Sequence, residues 1–370
     1  MAQWDVASAD PQQQVGARHH TVPAFYIRKF ANQEGQVWVR DRRRPEAGRS
    51  RYTDLAIKDF YTFTNLDGQP DGRLEQLLAQ VERAAAPALD RLCSGVTWNA
   101  PLSIEDRASI ATFVAFQLAR GQRKRREVEL QADLLTRLQT VNPPGELTRA
   151  ARAEYRHRQE LWSVHEVVPD PSEHLKLIGS LAANTFRHLV DRPIAAFTLT
   201  DAALLSCDEP VLLVQPEGAP GPVAPDPPAR RLRSRRRKGV RVPRRHDQVI
   251  HIQNPAGGIL TAETVLLPLG RRTVLAFGAP GTQSDTDTNI QLSAEDSREA
   301  AAQVNELALS RAYFFAFCHP EDQDLLASPL PEVEPLLRVG GAHDEHKIVA
   351  AAVPKRLQPE VHGRRQSKRG

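Results

Sequence analysis

Cysteine is scarce in this chain of 370 residues, which has only Cys93, Cys207 and Cys318, at wide spacing. No Cys-x-x-Cys pair occurs, and an odd count leaves one thiol without an intramolecular partner. The sequence therefore argues against a disulfide-stapled scaffold and against a zinc ribbon, and it favours a reducing compartment.

Long apolar runs are also missing. No stretch reaches the roughly 18 uninterrupted apolar residues that a membrane-spanning helix needs. Residues 1–14 have neither the basic start nor the apolar centre of a signal peptide. We expect a cytoplasmic protein without a membrane contact. Apolar residues make up 41% of the chain and aromatic residues 6%, which is enough for a hydrophobic core and not typical of a collagenous or fully disordered chain.

The sequence motifs of several large enzyme classes do not occur. We find no GxGxxG, Walker A, HExxH, GxSxG or protein-kinase pattern. The sequence thus gives no nucleotide cofactor motif. It leaves a divalent metal ion open as a cofactor, and it does not indicate the oligomeric state.

The formal net charge of +4 hides a segregation of charge. Residues 230–245 contain ten arginines or lysines and no acid, and residues 355–370 contain six against one glutamate. The rest of the chain is therefore acidic. We predict a non-specific, salt-sensitive contact of Arg230–Arg245 with nucleic acid. The candidate contact residues are Arg235, Arg236, Arg237 and Lys238. The alternative is a solvated, codon-biased loop.

Hydrophobic periodicity predicts a helix-rich first half. The predicted helices are Pro23–Ala31, Arg73–Leu92, a long helix that Ser103 caps and that runs to about Thr140, Leu147–Trp162, Pro171 to about Val190, and a last helix that Ser293 caps and that runs from Ala294 to about Arg311. The predicted strands are Gln36–Asp41, Ile194–Thr200, Val211–Val214, Thr264–Leu267 and Thr273–Phe277, with Tyr52–Phe63 extended. The fold class we predict is α+β, with a mostly antiparallel sheet from the second half plus the early strand.

The same patterns predict the domain organisation. We expect a loose N-terminus over residues 1–17 and a single α+β domain over residues 18–317. A Pro/Arg-rich insertion occupies residues 215–247 of that domain, and residues 318–370 form an irregular, basic tail.

A family resemblance begins with the string His19-His20-x-Val22-Pro23-x-Phe25-Tyr26-Ile27-Arg28-x-Phe30. This string resembles the opening motif of a bacterial family of unknown function, DUF4238. Further motifs are similar in order over about residues 18–317: Gln36–Asp41, Asp59-Phe60-Tyr61, Leu74-Glu75 with Glu82, Phe116-Gln117-x-x-Arg120, Ser206–Val211, Leu267-Pro268-Leu269 and Asn305. The chain departs from the family at Gly121-Gln122, where Thr-Pro is frequent, and in its basic insertion. The resemblance implies no activity, cofactor or substrate.

Two histidines open the motif. His20 stands just ahead of a helix N-terminus, whose dipole favours the neutral imidazole that acts as a general base or metal ligand. On an extended segment His19 and His20 point to opposite faces, so only one of them can enter a given site. The alternative for His20 is a buried histidine bonded to a backbone carbonyl.

A buried arginine is predicted on the helix after Ser103. Gln117 lies inside the apolar face of that helix and Arg120 at its edge, and buried polar groups need partners. We predict that Arg120 pairs with Glu75 or Glu82 of the preceding helix, either to support the fold or to hold a phosphate or carboxylate. The two glutamates are separated by about 10 Å along a helix, which is long for joint binding of one metal ion. The alternative is that both pair with arginines of the neighbouring helix.

Asp208 precedes Glu209-Pro210 at a predicted corner between two strands. A loop aspartate at such a place can be a ligand or a base. It can equally form an Asx turn before the proline.

These positions predict a hydrolase-like enzyme that acts on a phosphate-bearing substrate, with nucleic acid as one candidate. The candidate catalytic residues are His20, Glu75 and Asp208, and the candidate substrate-binding residues are Gln117, Arg120 and His19. The alternative is a non-catalytic binding or regulatory protein that its arginine-rich segments tether to nucleic acid or to an acidic partner.

Overall fold

The computed structural model describes residues 9–13, 15–44, 46–65, 67–93, 102–141, 148–164, 169–216, 251–253, 258–281, 288–333, 336, 338–340 and 347–348. The basic segment Arg230–Arg245 and the tail from Lys355 onward lie outside these residues.

The helices are α1 (Ala24–Ile27), α2 (Arg73–Cys93), α3 (Ile104–Arg120), α4 (Gln122–Val141), α5 (Arg149–Val164), α6 (Pro171–Arg187) and α7 (Ala294–Arg311).

Both N-caps that the sequence predicts with a serine are confirmed. Ser103 Oγ accepts the Asp106 N–H at 3.0 Å ahead of α3. Ser293 Oγ accepts the Asp296 N–H at 3.2 Å ahead of α7. Each serine thus satisfies a backbone donor that has no partner within its helix.

The prediction of one long helix after Ser103 is wrong, because the chain breaks between α3 and α4 at Gly121. This residue is extended, with φ −66° and ψ 162°. A β-carbon at Gly121 would collide with the carboxylate of Glu209, and Oε1 of that carboxylate accepts the Arg123 N–H at 2.8 Å. Glu209 therefore occupies the N-terminus of α4, where its Oε1 satisfies a backbone donor that has no partner within the helix.

The strands form two main sheets. The strands are β1 (Arg18–His19), β2 (Gln36–Asp41), β3 (Gly48–Arg51), β4 (Ile57–Lys58), β5 (Phe63–Thr64), β6 (Pro70–Asp71), β7 (Ile194–Thr198), β8 (Ser206–Cys207), β9 (Leu212–Val214), β10 (His251–Gln253), β11 (Thr264–Gly270), β12 (Thr273–Phe277), β13 (Thr288–Gln291), β14 (Phe315–Cys318), β15 (Arg338–Gly340) and β16 (Lys347–Ile348). One sheet has the order β13-β7-β12-β11-β9 and the other β3-β2-β14-β8. Every pairing in them is antiparallel except β13 with β7. The fold is α+β, as the sequence predicts.

The early strand β2 does not join the larger sheet. It pairs with β14, and Val39 lies opposite Phe317. The second half of the chain therefore contributes to both main sheets, because β14 pairs with β2 on one side and with β8 on the other.

Two irregular regions differ from the sequence prediction. The stretch Tyr52–Phe63 is not extended throughout, since Tyr52–Asp54 is a 3-10 helix and Asp59 has a φ of 54°. The carboxylate of Asp59 accepts the Gly16 N–H at 2.6 Å, which holds this turn against the N-terminal segment. Residues 320–326, predicted to be irregular, form a 3-10 helix in which Leu326 is buried.

A continuous hydrophobic cluster fixes α1 between a sheet and the helices. Phe25 contacts Phe113 of α3 with ring centroids 5.6 Å apart. Phe30 meets Phe317 of β14 edge-on at 5.3 Å. Since α3 also packs against α2 and α6, the contact through Phe25 ties α1 to the group of helices.

Candidate functional site

Arg120 is a buried arginine that contacts two other residues of the family motifs, Glu82 and Gln117. It is the last residue of α3 and is 1% exposed. Its Nη1 donates to Glu82 Oε1 at 2.8 Å, so the predicted ion pair with the preceding helix is present. When the Gln117 amide turns its oxygen towards the guanidinium, that oxygen accepts from Nε at 3.1 Å and from Nη2 at 2.7 Å.

The guanidinium retains donors for a further partner. An arginine side chain has five N–H groups, and Glu82 and Gln117 take three of them within the described part of the chain. Burial acts to lower the pKa of Arg120, but the neighbouring carboxylates raise it above its usual value. Arg120 is therefore a permanent cation with one N–H on Nη1 and one on Nη2 to offer.

Glu75 keeps an unused carboxyl oxygen beside this cation. Its Oε2 is buried and has no hydrogen-bond partner among the described residues. Burial raises the pKa of Glu75 to about 7, with Arg120 opposing the shift and Glu82 adding to it. A carboxyl group that is protonated near neutral pH can donate a proton. Of the two glutamates on α2, Glu82 makes the ion pair and Glu75 supplies the titratable group.

His20 offers a free ring nitrogen. Its Nε2 is buried without a hydrogen-bond partner from any residue that the structure describes. Burial lowers the pKa of His20, and the positive charges of Arg120 and Arg18 lower it further, while the backbone at Tyr52 and Thr53 opposes the shift. The imidazole is therefore neutral at pH 7 and can accept a proton. Burial and the charges of the two arginines thus keep the His20 imidazole unprotonated.

His19 faces away from His20, as the alternation of an extended segment predicts. It is fully buried, its Nδ1 accepts the Tyr61 N–H at 2.8 Å, and its ring stacks on Tyr61 with centroids 5.7 Å apart. The Tyr61 hydroxyl donates to the carbonyl oxygen of Arg120 at 3.5 Å. His19 therefore supports the tyrosine that lies against the end of α3.

Tyr61 is the site residue that sequence reasoning missed. The motif Asp59-Phe60-Tyr61 is a signal for it, but spacing alone does not show that the turn at Asp59 brings the tyrosine to α3. Burial raises the pKa of Tyr61 above its usual value, so its hydroxyl stays protonated and acts as a donor.

Asp208 is engaged elsewhere. Its Oδ1 accepts the Tyr313 N–H at 2.8 Å and its Oδ2 accepts the Phe314 N–H at 2.7 Å. Burial raises the pKa of Asp208, and these backbone amides oppose the shift. The predicted Asx turn does not form with the residue two positions on, because Pro210 has no N–H. His20 and Glu75 each interact electrostatically with Arg120, whereas Asp208 binds the two amides just ahead of β14.

Two further predictions concern metal and nucleic acid. Among the described residues, no three His, Cys, Asp or Glu side chains are grouped so that they could hold a metal ion. The predicted nucleic-acid contacts Arg235–Lys238 lie outside the described residues.

The fold and the site define an α+β protein with a buried polar group of residues around one arginine. Residues 18–224 match the family described as Protein of unknown function (DUF4238). The chain therefore belongs to this family, as its opening motif indicates. The match includes His20, Glu75 and Arg120 but ends before Leu267–Leu269 and Asn305.

Other comparisons add no relative. Neither a search of the curated proteins nor a search of the solved structures gives a match. The helices in the part of the chain that the structure describes are too short or too polar for any of them to cross a membrane.

Proposed function

We propose that this protein is a hydrolase-like enzyme that acts on a phosphate-bearing substrate. One observation carries the proposal. His20 Nε2 and Glu75 Oε2 are both buried without a hydrogen-bond partner among the described residues, and both groups interact with the charge of Arg120. Buried polar atoms without partners are uncommon because they cost free energy, and titratable groups with shifted pKa values concentrate at functional sites.

Each residue has a defined task in this proposal. The two free N–H groups of Arg120 bind oxygens of the phosphate. His20 takes the proton of the attacking water, whose oxygen forms the new bond to phosphorus. The bond from phosphorus to the leaving oxygen breaks, and Glu75 gives that oxygen a proton. Glu82, Gln117 and Tyr61 are positioning residues for Arg120.

Nucleic acid is the substrate that the charge distribution favours. Ten positive charges in residues 230–245 attract a polyphosphate chain without base recognition. We infer a cytoplasmic location, since Cys93, Cys207 and Cys318 are all free thiols. The same basic segment supports the second candidate function, a non-catalytic protein tethered to nucleic acid or to an acidic partner.

A matched assay tests the catalytic proposal. Wild type, His20→Ala, Glu75→Gln and the surface control Arg298→Gln are compared on single-stranded and double-stranded nucleic acid, on nucleotides and on an activated phosphodiester. Each assay is run with and without divalent metal, after unfolding curves have shown that the variants fold. We expect His20→Ala and Glu75→Gln to lose activity by a factor of about 10²–10⁴. The control should retain the wild-type rate, because Arg298 pairs with Asp201 on the surface.

Two results would overturn the enzyme proposal. One is a wild-type protein that is inert on all substrates, and the other is a His20→Ala variant as active as wild type. Deletion of residues 230–245 then tests the tether: nucleic-acid affinity should fall steeply, and its salt dependence should weaken with the number of phosphate contacts removed. Unchanged binding after the deletion rules out the tether.

A further inference from the structure

His174, in the first turn of α6, is a buried histidine that binds the end of α3. It is 2% exposed, and its Nε2 lies 3.1 Å from the carbonyl oxygen of Ala119. Burial lowers the pKa of His174 to about 4, with the Ala119 carbonyl opposing the shift and the charges of Arg125 and Lys124 adding to it. The neutral ring has one N–H, and Nε2 carries it because this atom faces a carbonyl oxygen. His174 therefore donates to Ala119.

The carbonyl oxygen of Ala119 needs this donor because the helix breaks at Gly121. In an unbroken helix, Ala119 would accept the N–H of Arg123, four residues further on. That N–H donates instead to Oε1 of Glu209 at 2.8 Å. His174 thus replaces a backbone hydrogen bond that the break removes.

The last two carbonyl groups of α3 are both bound by side chains from other parts of the chain. The oxygen of Ala119 accepts from His174, and the oxygen of Arg120 accepts the Tyr61 hydroxyl at 3.5 Å. A helix end whose final carbonyl groups have no partners frays easily. Because α6 packs against α3, the His174 donor is carried by a packed helix rather than by a loop.

Arg120 depends strongly on this helix end because it is the last residue of α3. Its guanidinium is bound by Glu82 and Gln117, but the position of its Cα is set by the backbone at the end of the helix. If that end frays, the guanidinium keeps its charge and loses its fixed direction. A displacement of about 1 Å in a group that binds the substrate can lower a reaction rate about 10²-fold.

We infer that His174 is a positioning residue for Arg120, which it holds in place by binding the carbonyl group of the preceding residue. This inference rests on the proposed function, in which Arg120 binds oxygens of a phosphate. His174 gives the substrate no proton in this scheme, since its single N–H is directed to the backbone.

Kinetics of the full chain test the inference with three variants. His174→Leu removes the donor, whereas the amide nitrogen of His174→Gln can donate from a similar position. Ser297→Ala is the matched control: Ser297 is fully buried and its Oγ accepts the Thr200 N–H at 3.0 Å, so one buried backbone group loses its partner here too.

On a substrate that wild type cleaves, His174→Leu should lower kcat/KM by a factor of about 10–100. His174→Gln and Ser297→Ala should stay near the wild-type value. An unchanged kcat/KM in His174→Leu, or an equal loss in Ser297→Ala, would overturn the inference. If His174→Leu does not fold, His174→Asn is measured with the same expected loss, because its shorter amide does not reach the carbonyl oxygen of Ala119.

A second measurement does not depend on activity. NMR of isotope-labelled protein observes the Arg120 Nε–H, which donates to Gln117 and is assigned by its loss in Arg120→Lys. His174→Leu should speed the exchange of this proton with water by a factor of about 5–10, and His174→Gln and Ser297→Ala should not. An unchanged exchange rate in His174→Leu, or an equal rise in Ser297→Ala, would overturn the inference. If wild type is inert on every substrate, the proposed function fails, and the exchange rate still decides whether His174 holds Arg120.

Discussion

The Nη1 atom of Arg120 lies 2.8 Å from Oε1 of Glu82, and this ion pair joins the end of α3 to the middle of α2. The arginine side chain is 1% exposed and the glutamate side chain 24% exposed. The pair therefore joins a buried guanidinium group to a carboxylate that is partly open to solvent. It also leaves Glu75, two turns earlier on α2, without a hydrogen bond to the arginine, and this difference between the two glutamates gives the site its titratable acid.

Glu82→Gln should destabilise the fold, because it leaves a buried guanidinium with a neutral partner. We expect the free energy of unfolding to fall by about 2 kcal/mol, measured by urea denaturation. The control is Asp201→Asn in the exposed pair with Arg298, which should change stability by less than about 0.5 kcal/mol. Equal effects of the two substitutions would contradict the buried character of the Arg120 pair.

The pH dependence of activity should have two limbs. Activity requires neutral His20, whose pKa is lowered, so it should fall only in acid, below pH 6.5. It also requires protonated Glu75, whose pKa is raised to about 7, so kcat/KM should fall above that pH. Profiles of kcat/KM between pH 5 and 9 measure both limbs. The residual activity of Glu75→Gln should lack the alkaline limb, and an alkaline limb that survives the substitution would assign it to another group.

Stability should also depend on pH through Glu75. Its pKa is raised to about 7 in the folded protein from an ordinary value of 4.5, so the folded state binds more protons between these values. The stabilisation is complete below pH 4.5 and is lost as the pH rises through 7. Compared with wild type, Glu75→Gln should gain on the order of 2–3 kcal/mol between pH 5 and pH 8.

Urea unfolding of both proteins at the two pH values measures this difference. His20, whose pKa is lowered, has the opposite dependence because its contribution is lost as the pH falls below 6.5. That contribution is present in both proteins and cancels in the comparison. A constant difference in stability between pH 5 and pH 8 would show that Glu75 titrates normally.

Asp208→Asn should separate stability from activity. The amide side chain keeps one acceptor oxygen where the carboxylate uses two for Tyr313 and Phe314, so one buried N–H loses its partner. We expect a loss of about 1–3 kcal/mol in the free energy of unfolding with kcat/KM close to wild type below the unfolding transition. If activity disappears while the fold persists, Asp208 takes part in the chemistry after all.

Local signals in the sequence determined much of the fold. The apolar stripe that begins at Leu74 predicts α2, and the serine caps at Ser103 and Ser293 predict the starts of α3 and α7, because these hydrogen bonds and burial patterns repeat within a few residues. The place of Arg120 on the edge of an apolar face was enough to predict an inward ion pair with α2, since a buried guanidinium needs a partner.

Only the tertiary structure decided the rest. Glu209 ends α3 and starts α4 through a hydrogen bond to a residue 86 positions earlier, and Asp208 binds amides more than a hundred positions away. The choice of Glu82 over Glu75 as the ion-pair partner likewise depends on how α2 packs against α3. Contacts between distant residues leave no periodic trace in the sequence, because they arise only when separate elements pack against each other, and they determine which of the predicted polar residues lie together in one site.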